Sequence, residues 1–438
     1  MVWNAKGLKH FFRNMATCFL SNFVRQLKTT HNSCKQFHLF TFIFNLMKKE
    51  ICLSCLTVCT ILLACSTPSE KSVRSAASVI PVDLEHAGAL QASQWFDTIM
   101  YVPLETSDSF LFSNISHLKV SHDQNIYFIS DKSFFLFDGH TGKGKLKISR
   151  LGTGPDGYAS LFDSYIDPET QEIELLDNNG KKIVVYDKKG NHLRSFAIPF
   201  MSFTLTKTDQ HNYWFYNNNL PSEACNYKVA HYNRIAEKSE EAYDSIDPHL
   251  AEYFFIEDEK NLVTQGNSML YHASLADTVY RIQPGKGMEA AYILDMGKNK
   301  APQTFYSNHF KDIMEFVETA NKHDYVFELP TLAANDSLIA IGCMKQGQLY
   351  ITLHASRSEK TVTFSAFQDD FHFSAPLPLD NQNIPFCLDN EFLYLIITAE
   401  QLTDWQKEGD RKELMNEWMK QQHINEYSNP ILMKCRLK

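Results

Sequence analysis

Cysteine is scarce over most of this 438-residue chain: six of its ten, Cys18, Cys34, Cys52, Cys55, Cys59 and Cys65, fall within the first 65 positions, leaving only Cys225, Cys343, Cys387 and Cys435. Four thiols so far apart exclude a disulfide scaffold or a zinc-knuckle site, and the one CxxC pair, Cys52 and Cys55, lies in an apolar segment. Histidines from His117 to His372 show no HxxxH or HxH spacing, so no metal or cofactor is expected. Neither a GxSxG elbow nor a P-loop is present, and no residue reads as catalytic. Positive charge is short too. Of 42 Lys and Arg and 51 Asp and Glu, eight basic residues and Glu50 precede Cys65, leaving 34 against 50 in the rest. An acidic body of that kind repels phosphate backbones, so nucleic acid is not an expected partner.

The N-terminal region carries what the body lacks. From Met47 the chain reads MKKEICLSCLTVCTILLACS, two lysines, an apolar run from Ile51 to Leu63 and a small residue before Cys65. The run is short for a bilayer span, and the layout is that of a secretory signal over 47–64. It resembles a bacterial lipoprotein signal, which implies that Cys65 of the Leu62-Leu63-Ala64-Cys65 sequence is the lipidated first residue of the mature protein. Residues 1–46 then read as an overextended gene start or a disordered extension. Residues 65–94, with Pro68, the small run Ser75 to Ser78 and no aromatics, read as a linker.

From 95 to 438 the pattern is β. The stretch from Ser149 to Phe200 alternates short runs rich in apolar and β-branched residues with Asp/Asn/Gly turns: Ile173 to Leu176, Asp177-Asn178-Asn179-Gly180, Lys182 to Tyr186, Asp187 to Asn191, Leu193 to Ile198. Such turns supply the positive φ of tight hairpins, so this is an antiparallel meander. Ile126 to Asp131, Phe134 to Asp138 and Lys145 to Ser149 repeat it, with Asp138 and Asp187 49 positions apart. Looser copies follow through Asn212 to Tyr232, Leu262 to Asp295, Ser337 to Phe367 and Phe386 to Thr398. A repeat of about 40–50 residues with four strands predicts a six-bladed β-propeller. The lone final strand, Pro430 to Cys435, is expected to complete the blade begun near Thr98 to Val102. Two helical insertions are expected: Tyr306 to Thr319, with Phe310, Ile313, Met314 and Val317 on one face, and Ala399 to His423 as two short helices around Gly409.

These features resemble the six-bladed propeller lipoproteins of Bacteroidetes, relatives of NHL-type propellers. The likeness is carried by Gly152-Thr153-Gly154-Pro155-Asp156-Gly157-Tyr158, Asp163, Ile166-Asp167-Pro168, Leu176-Asp177 to Tyr186-Asp187, Asp277 to Arg281, Ala291 to Gly297 and Ser428 to Leu432. The resemblance implies an all-β propeller of four-stranded antiparallel blades in the cell envelope, held to the outer membrane through Cys65 on its periplasmic side or at the cell surface. It implies no particular activity.

Three groups of residues tempt a chemical assignment. Gly152 to Gly157 matches GxGxxG with Asp177 20 positions on, but Pro155 and the β-rich run from Tyr165 leave no helix to hold a pyrophosphate, so an interblade loop is expected. Asp131, Asp138, Asp167, Asp177 and Asp187 sit at turns where carboxylates cap amides. Tyr213-Trp214-Phe215-Tyr216 and the aromatics of 364–373 suit a sugar platform but suit packing between blades better. The expected function is a binding or scaffold module with a glycan or protein ligand. The alternative is a metal-dependent hydrolase or lyase with its site in the central channel.

Overall fold

The computed structural model describes residues 77–438 apart from 252–259, 374–375, 380–384 and 409–411. Two strands come first, β1 (Ser78–Pro81) and β2 (Gly88–Gln91), then β3 (Phe96–Pro103). Blade 1 is β4 (Ser116–Val120), β5 (Ile126–Ser130), β6 (Ser133–Phe137) and β7 (Gly144–Ile148). Blade 2 is β8 (Leu161–Ile166), β9 (Ile173–Asp177), β10 (Lys182–Tyr186) and β11 (His192–Ala197). Blade 3 is β12 (Thr204–Lys207), β13 (Asn212–Tyr216), β14 (Tyr227–Asn233) and β15 (Ala242–Ser245). Blade 4 is β16 (Leu262–Gln265), β17 (Ser268–His272), β18 (Thr278–Gln283) and β19 (Gly287–Asp295). Blade 5 is β20 (Glu328–Ala334), β21 (Leu338–Lys345), β22 (Gln348–Ala355) and β23 (Lys360–Gln368), to which β24 (Leu377–Pro378) adds. Blade 6 takes β25 (Phe386–Leu388), β26 (Phe392–Ile397) and β27 (Ile431–Leu437) from the C-terminal end and β3 from the N-terminal end.

The expected ring closure is therefore present: β27 lies between β26 and β3, with Ile431 opposite Pro103 and Cys435 opposite Ile99. Joining the two ends of the chain in one sheet removes the open edge that a linear array would leave. One expectation changes. The segment 65–94 reads as a linker, yet its described part, 77–94, adds β1 in parallel to β19 and β2 in parallel to β23. The pairing runs through the backbone, with Ile80 and Leu90 as the buried anchors, so four-residue strands without aromatics suffice and leave little trace in periodicity. Cys65 and residues 1–64 lie outside the described residues.

Sheets buried on both faces explain the near-continuous apolar runs. In β9, Leu175 packs with Tyr127, Phe134 and Tyr186 between blades 1 and 2, while Leu176 packs with Ile183, Val185 and Phe215 between blades 2 and 3. In β13, Tyr213 and Phe215 face blade 2, and Trp214 and Tyr216 face blade 4. All four rings are buried, so this aromatic run is interblade packing.

Meander connectivity sorts the loops. In a blade of four antiparallel strands, the first and third turns lie at one end, and the second turn and the link to the next blade lie at the other. The first end carries short Asp/Asn/Gly turns. The second carries the insertions: α1 (Ile313–Lys322) between blades 4 and 5, and α2 (Ala399–Glu408) with α3 (Lys412–Gln421) between β26 and β27. Helix α1 starts later than the expected Tyr306. Asp312 Oδ1 accepts the Glu315 amide at 3.0 Å as its N-cap. Phe316 and Ala320 are its buried residues, against Phe305 and Phe327, while Met314 is 62% exposed; the apolar face is rotated from the one that the i, i+3, i+4 pattern predicts.

Candidate functional site

The first strands of the six blades, β4, β8, β12, β16, β20 and β25, neighbour one another around the centre of the ring, so a charged residue buried there must find a partner or lose its charge. Asp163 of β8 is wholly buried. Its Oδ2 accepts from Lys119 Nζ of β4 at 2.7 Å and from the Leu205 amide of β12 at 2.8 Å, and Oδ1 accepts the Ser164 amide at 2.8 Å. Lys119 Nζ also donates to Ser164 O at 2.8 Å, and His117 Nδ1 lies 3.6 Å from Asp163 Oδ1. Lys260, just before β16, donates to Leu118 O at 3.0 Å. That bond joins blade 4 to blade 1, which stand opposite each other in a ring of six. Burial lowers the Lys260 pKa, with the Lys119 charge adding to the effect, and burial pushes the nearby Cys387 thiol up to about 12.

Lys119 and Lys260 both bring positive charge to the surroundings of the Asp163 carboxylate, an arrangement that opposes a divalent cation there. Among the described residues no three His, Cys, Asp or Glu side chains gather as a metal set.

An open concavity lies instead at the short-turn end, between blades 2 and 3. It encloses about 850 Å³ and is lined by Tyr165, Asp167, Glu169, Lys207 and Gln210, with His211, Asn212, Asn233 and Ile235 around them. Each position follows from local structure. Asp167 opens the β8–β9 turn, its Oδ1 accepting the Glu169 amide at 3.0 Å and the Thr170 amide at 2.9 Å. Asp209 does the same for His211 and Asn212 in the β12–β13 turn. Asn233 caps the amides of Ile235 and Ala236 and donates to Asn212 Oδ1 at 2.8 Å. Gln210 reaches across from blade 3 to Glu169 Oε2 at 3.1 Å. The amides and carboxylates at the rim are thus held in fixed directions by their own turns.

Beneath the cleft sits a buried ionic cluster. Lys207 Nζ is 2.7 Å from Asp167 Oδ2 and 2.8 Å from Glu174 Oε1, with the rings of Tyr213 and Tyr165 at 5.1 and 5.6 Å. Arg194 pairs with Glu172 alongside, which holds the Glu172 pKa down. The two carboxylates bound to Lys207 titrate in opposite directions. Burial raises Glu174, with Lys207 opposing; burial also works against Asp167, but the Lys207 hydrogen bond and the turn amides carry it below the usual range.

The residues singled out by sequence are mostly elsewhere. Gly152 to Gly157 forms no helix; Gly152 N donates to Tyr158 O at 2.9 Å and Tyr158 N to Arg150 O at 3.0 Å in the link from blade 1 to blade 2. Asp138 and Asp187 cap their own hairpins. Asp131 and Asp177 reach further, accepting the Ser113 amide and the Ala159 and Ser160 amides, so each ties the incoming interblade link to its own blade. Of the five aspartates only Asp167 borders the cleft. Asp163 figures in the sequence reading only among the residues that carry the family resemblance, and Lys207 not at all; the available signal was a lysine inside a short strand, Thr204 to Lys207, that is buried throughout.

A family model described as a domain of unknown function, DUF4934, matches residues 77–436. No curated protein matches the chain. Among solved structures, a Bacteroides fragilis protein described as exported aligns with a TM-score of 0.66 at 15% identity, covering 82% of this chain and 99% of its own. A Bacteroides vulgatus member of the duf4221 family aligns with a TM-score of 0.46 at 11% identity, covering 78% of this chain and 96% of its own. At 15% identity the likeness to the B. fragilis protein is one of fold.

Proposed function

The chain belongs to the DUF4934 family, and from that premise we propose that it is an exported propeller, anchored to the outer membrane through Cys65, that binds a glycan in the cleft between blades 2 and 3. The observation that carries this reading is the cleft itself. Its polar groups are amides, carboxylates and an imidazole aimed by short turns, with Tyr165 in the lining and Ile235, 67% exposed, at the rim. Sugar hydroxyls are recognised by such fixed donors and acceptors, and pyranose faces by flat apolar ones. Glu169, Gln210 and His211 at the cleft are exposed to solvent, whereas Asp163 and Lys119 near the axis are bound to each other. Export is supported by the signal-like run before Cys65 and by the B. fragilis neighbour described as exported.

Two experiments follow. On a glycan array the purified protein is expected to retain a defined set of saccharides, and Glu169→Gln and Gln210→Ala, changes at exposed groups, should each weaken the best of them about tenfold, the value of one charge-assisted hydrogen bond. An unchanged urea midpoint would show that the fold is intact; retention of no saccharide, or full affinity in both variants, would remove the glycan reading in favour of a protein ligand. For the anchor, Cys65→Ala should abolish incorporation of labelled palmitate and move the protein from the membrane to the soluble fraction. Persistent labelling would place the lipid elsewhere.

A further inference from the structure

A second concavity, of about 510 Å³, opens at the same short-turn end between blades 5 and 6. Its charge is opposite to that of the body. Arg357, Lys360 and Lys438 line it, against Asp336 as the one acidic side chain, in a chain that from Cys65 on carries 34 basic residues to 50 acidic ones. Lys360 is held in place: its Nζ stands 4.5 Å over the Trp95 ring and donates to Gln94 O at 3.2 Å. An ammonium has three N–H donors, so two remain for the cleft. Arg357 is exposed in the β22–β23 turn, and among the described residues no hydrogen bond or ion pair engages its guanidinium. A planar fork of donors without a carboxylate partner, next to a fixed ammonium, matches an oxyanion.

We propose that this cleft binds the carboxylate or sulfate of an acidic saccharide, Arg357 and Lys360 holding the anion and the neutral groups of Ser358 and Asn390 meeting ring hydroxyls. The volume admits a ligand of one or two rings. The site is separate from the blade 2–3 cleft, and neither proposal depends on the other.

The test is calorimetric titration at about 50 mM salt, where exposed charges are only partly screened. The titrants are an oligogalacturonate, a sulfated heparin disaccharide and neutral maltotetraose, with inorganic sulfate and a polyglutamate peptide as controls. At least one acidic saccharide should bind where maltotetraose does not, and the two acidic arms tell uronate from sulfate. Arg357→Gln and Lys360→Gln should each weaken it about tenfold, while Lys420→Gln, at an exposed lysine of α3, leaves it unchanged. Because Lys360 covers Trp95, its variant also needs an unchanged urea midpoint; Arg357 carries the test if that fails. The proposal falls if neither acidic saccharide binds, if Arg357→Gln binds as wild type, or if sulfate or polyglutamate binds as tightly as the saccharide.

Discussion

Replacing Lys207 by Met is expected to cost about 3–5 kcal/mol of stability near pH 8, and distinctly less near pH 5.5. The side chain is 3% exposed, and its ammonium is the partner of two carboxylates that are themselves 6% and 1% exposed, Asp167 and Glu174. Met keeps much of the volume and removes the charge, so the loss is that of stranding two buried anions. The pH dependence follows from Glu174. Burial already raises its folded pKa above the unfolded value of about 4.3, and removing Lys207 takes away the group opposing that rise. A carboxyl with a raised folded pKa binds a proton on folding, so stability is regained as pH falls through the folded value. In the wild-type protein Asp167 has the reverse sign: its pKa is lowered, so the stability it contributes is present above about 3.9 and lost only below that; in the variant the lysine's pull is gone and burial shifts Asp167 upward, in the same direction as Glu174. Urea midpoints of both proteins at the two pH values decide the matter. An equal penalty at both would mean that Lys207 acts through packing on Tyr165 and Tyr213, not through its charge.

The backbone plan of the molecule was legible in the sequence because it is written in local chemistry. Turn aspartates, the 49-residue spacing of Asp138 and Asp187 and the apolar runs all report nearest-neighbour structure, and strands β5–β7 and β9–β11 fall where the repeat puts them. The lone final strand was readable too, since a blade short of one strand requires it. What local pattern cannot carry is a partner far along the chain. Lys119 meets Asp163 44 positions away, Lys260 meets Leu118 142 away, and Lys207 meets Glu174 33 away. The spacings are unequal because each depends on how far the ring has turned between blades.

The same limit explains the clefts. Asp167 could be read as a turn cap, and it is one, but its second oxygen faces a lysine from the next blade. Trp95 and Lys360 share a ring contact across 265 positions because β3 closes the ring beside blade 5. Strands β1 and β2 were missed for a related reason: their pairing is parallel and backbone-driven, and only Ile80 and Leu90 need be apolar enough to bury.

The axis offers the sharper test of how such distant partners hold the ring. Asp163→Ala is expected to cost about 4 kcal/mol, because it leaves the partly buried Lys119 ammonium without its carboxylate and the buried Leu205 amide without an acceptor. The size of the effect alone does not distinguish a lost ion pair from a cavity. Lys119→Met in the Asp163→Ala background does. If the penalty comes from an uncompensated charge, removing that charge should restore about 1–3 kcal/mol, making the double variant more stable than Asp163→Ala alone. If the two changes simply add, the bridge contributes little, and Asp163 matters for the backbone amides of Ser164 and Leu205. Asp163→Asn adds a second comparison: its amide oxygen can still accept from Leu205 N and offers no charge to Lys119, while its NH2 faces the Ser164 N–H that Oδ1 accepts in the wild type. An Asn variant as destabilised as Ala would mean that the ion pair and the Ser164 bond together carry the effect, which the double variant then divides. One close to wild type would assign it to the amides, making the carboxylate an anchor that sets β8 against β12 and thereby positions the two strands from which Tyr165, Asp167 and Lys207 reach the cleft.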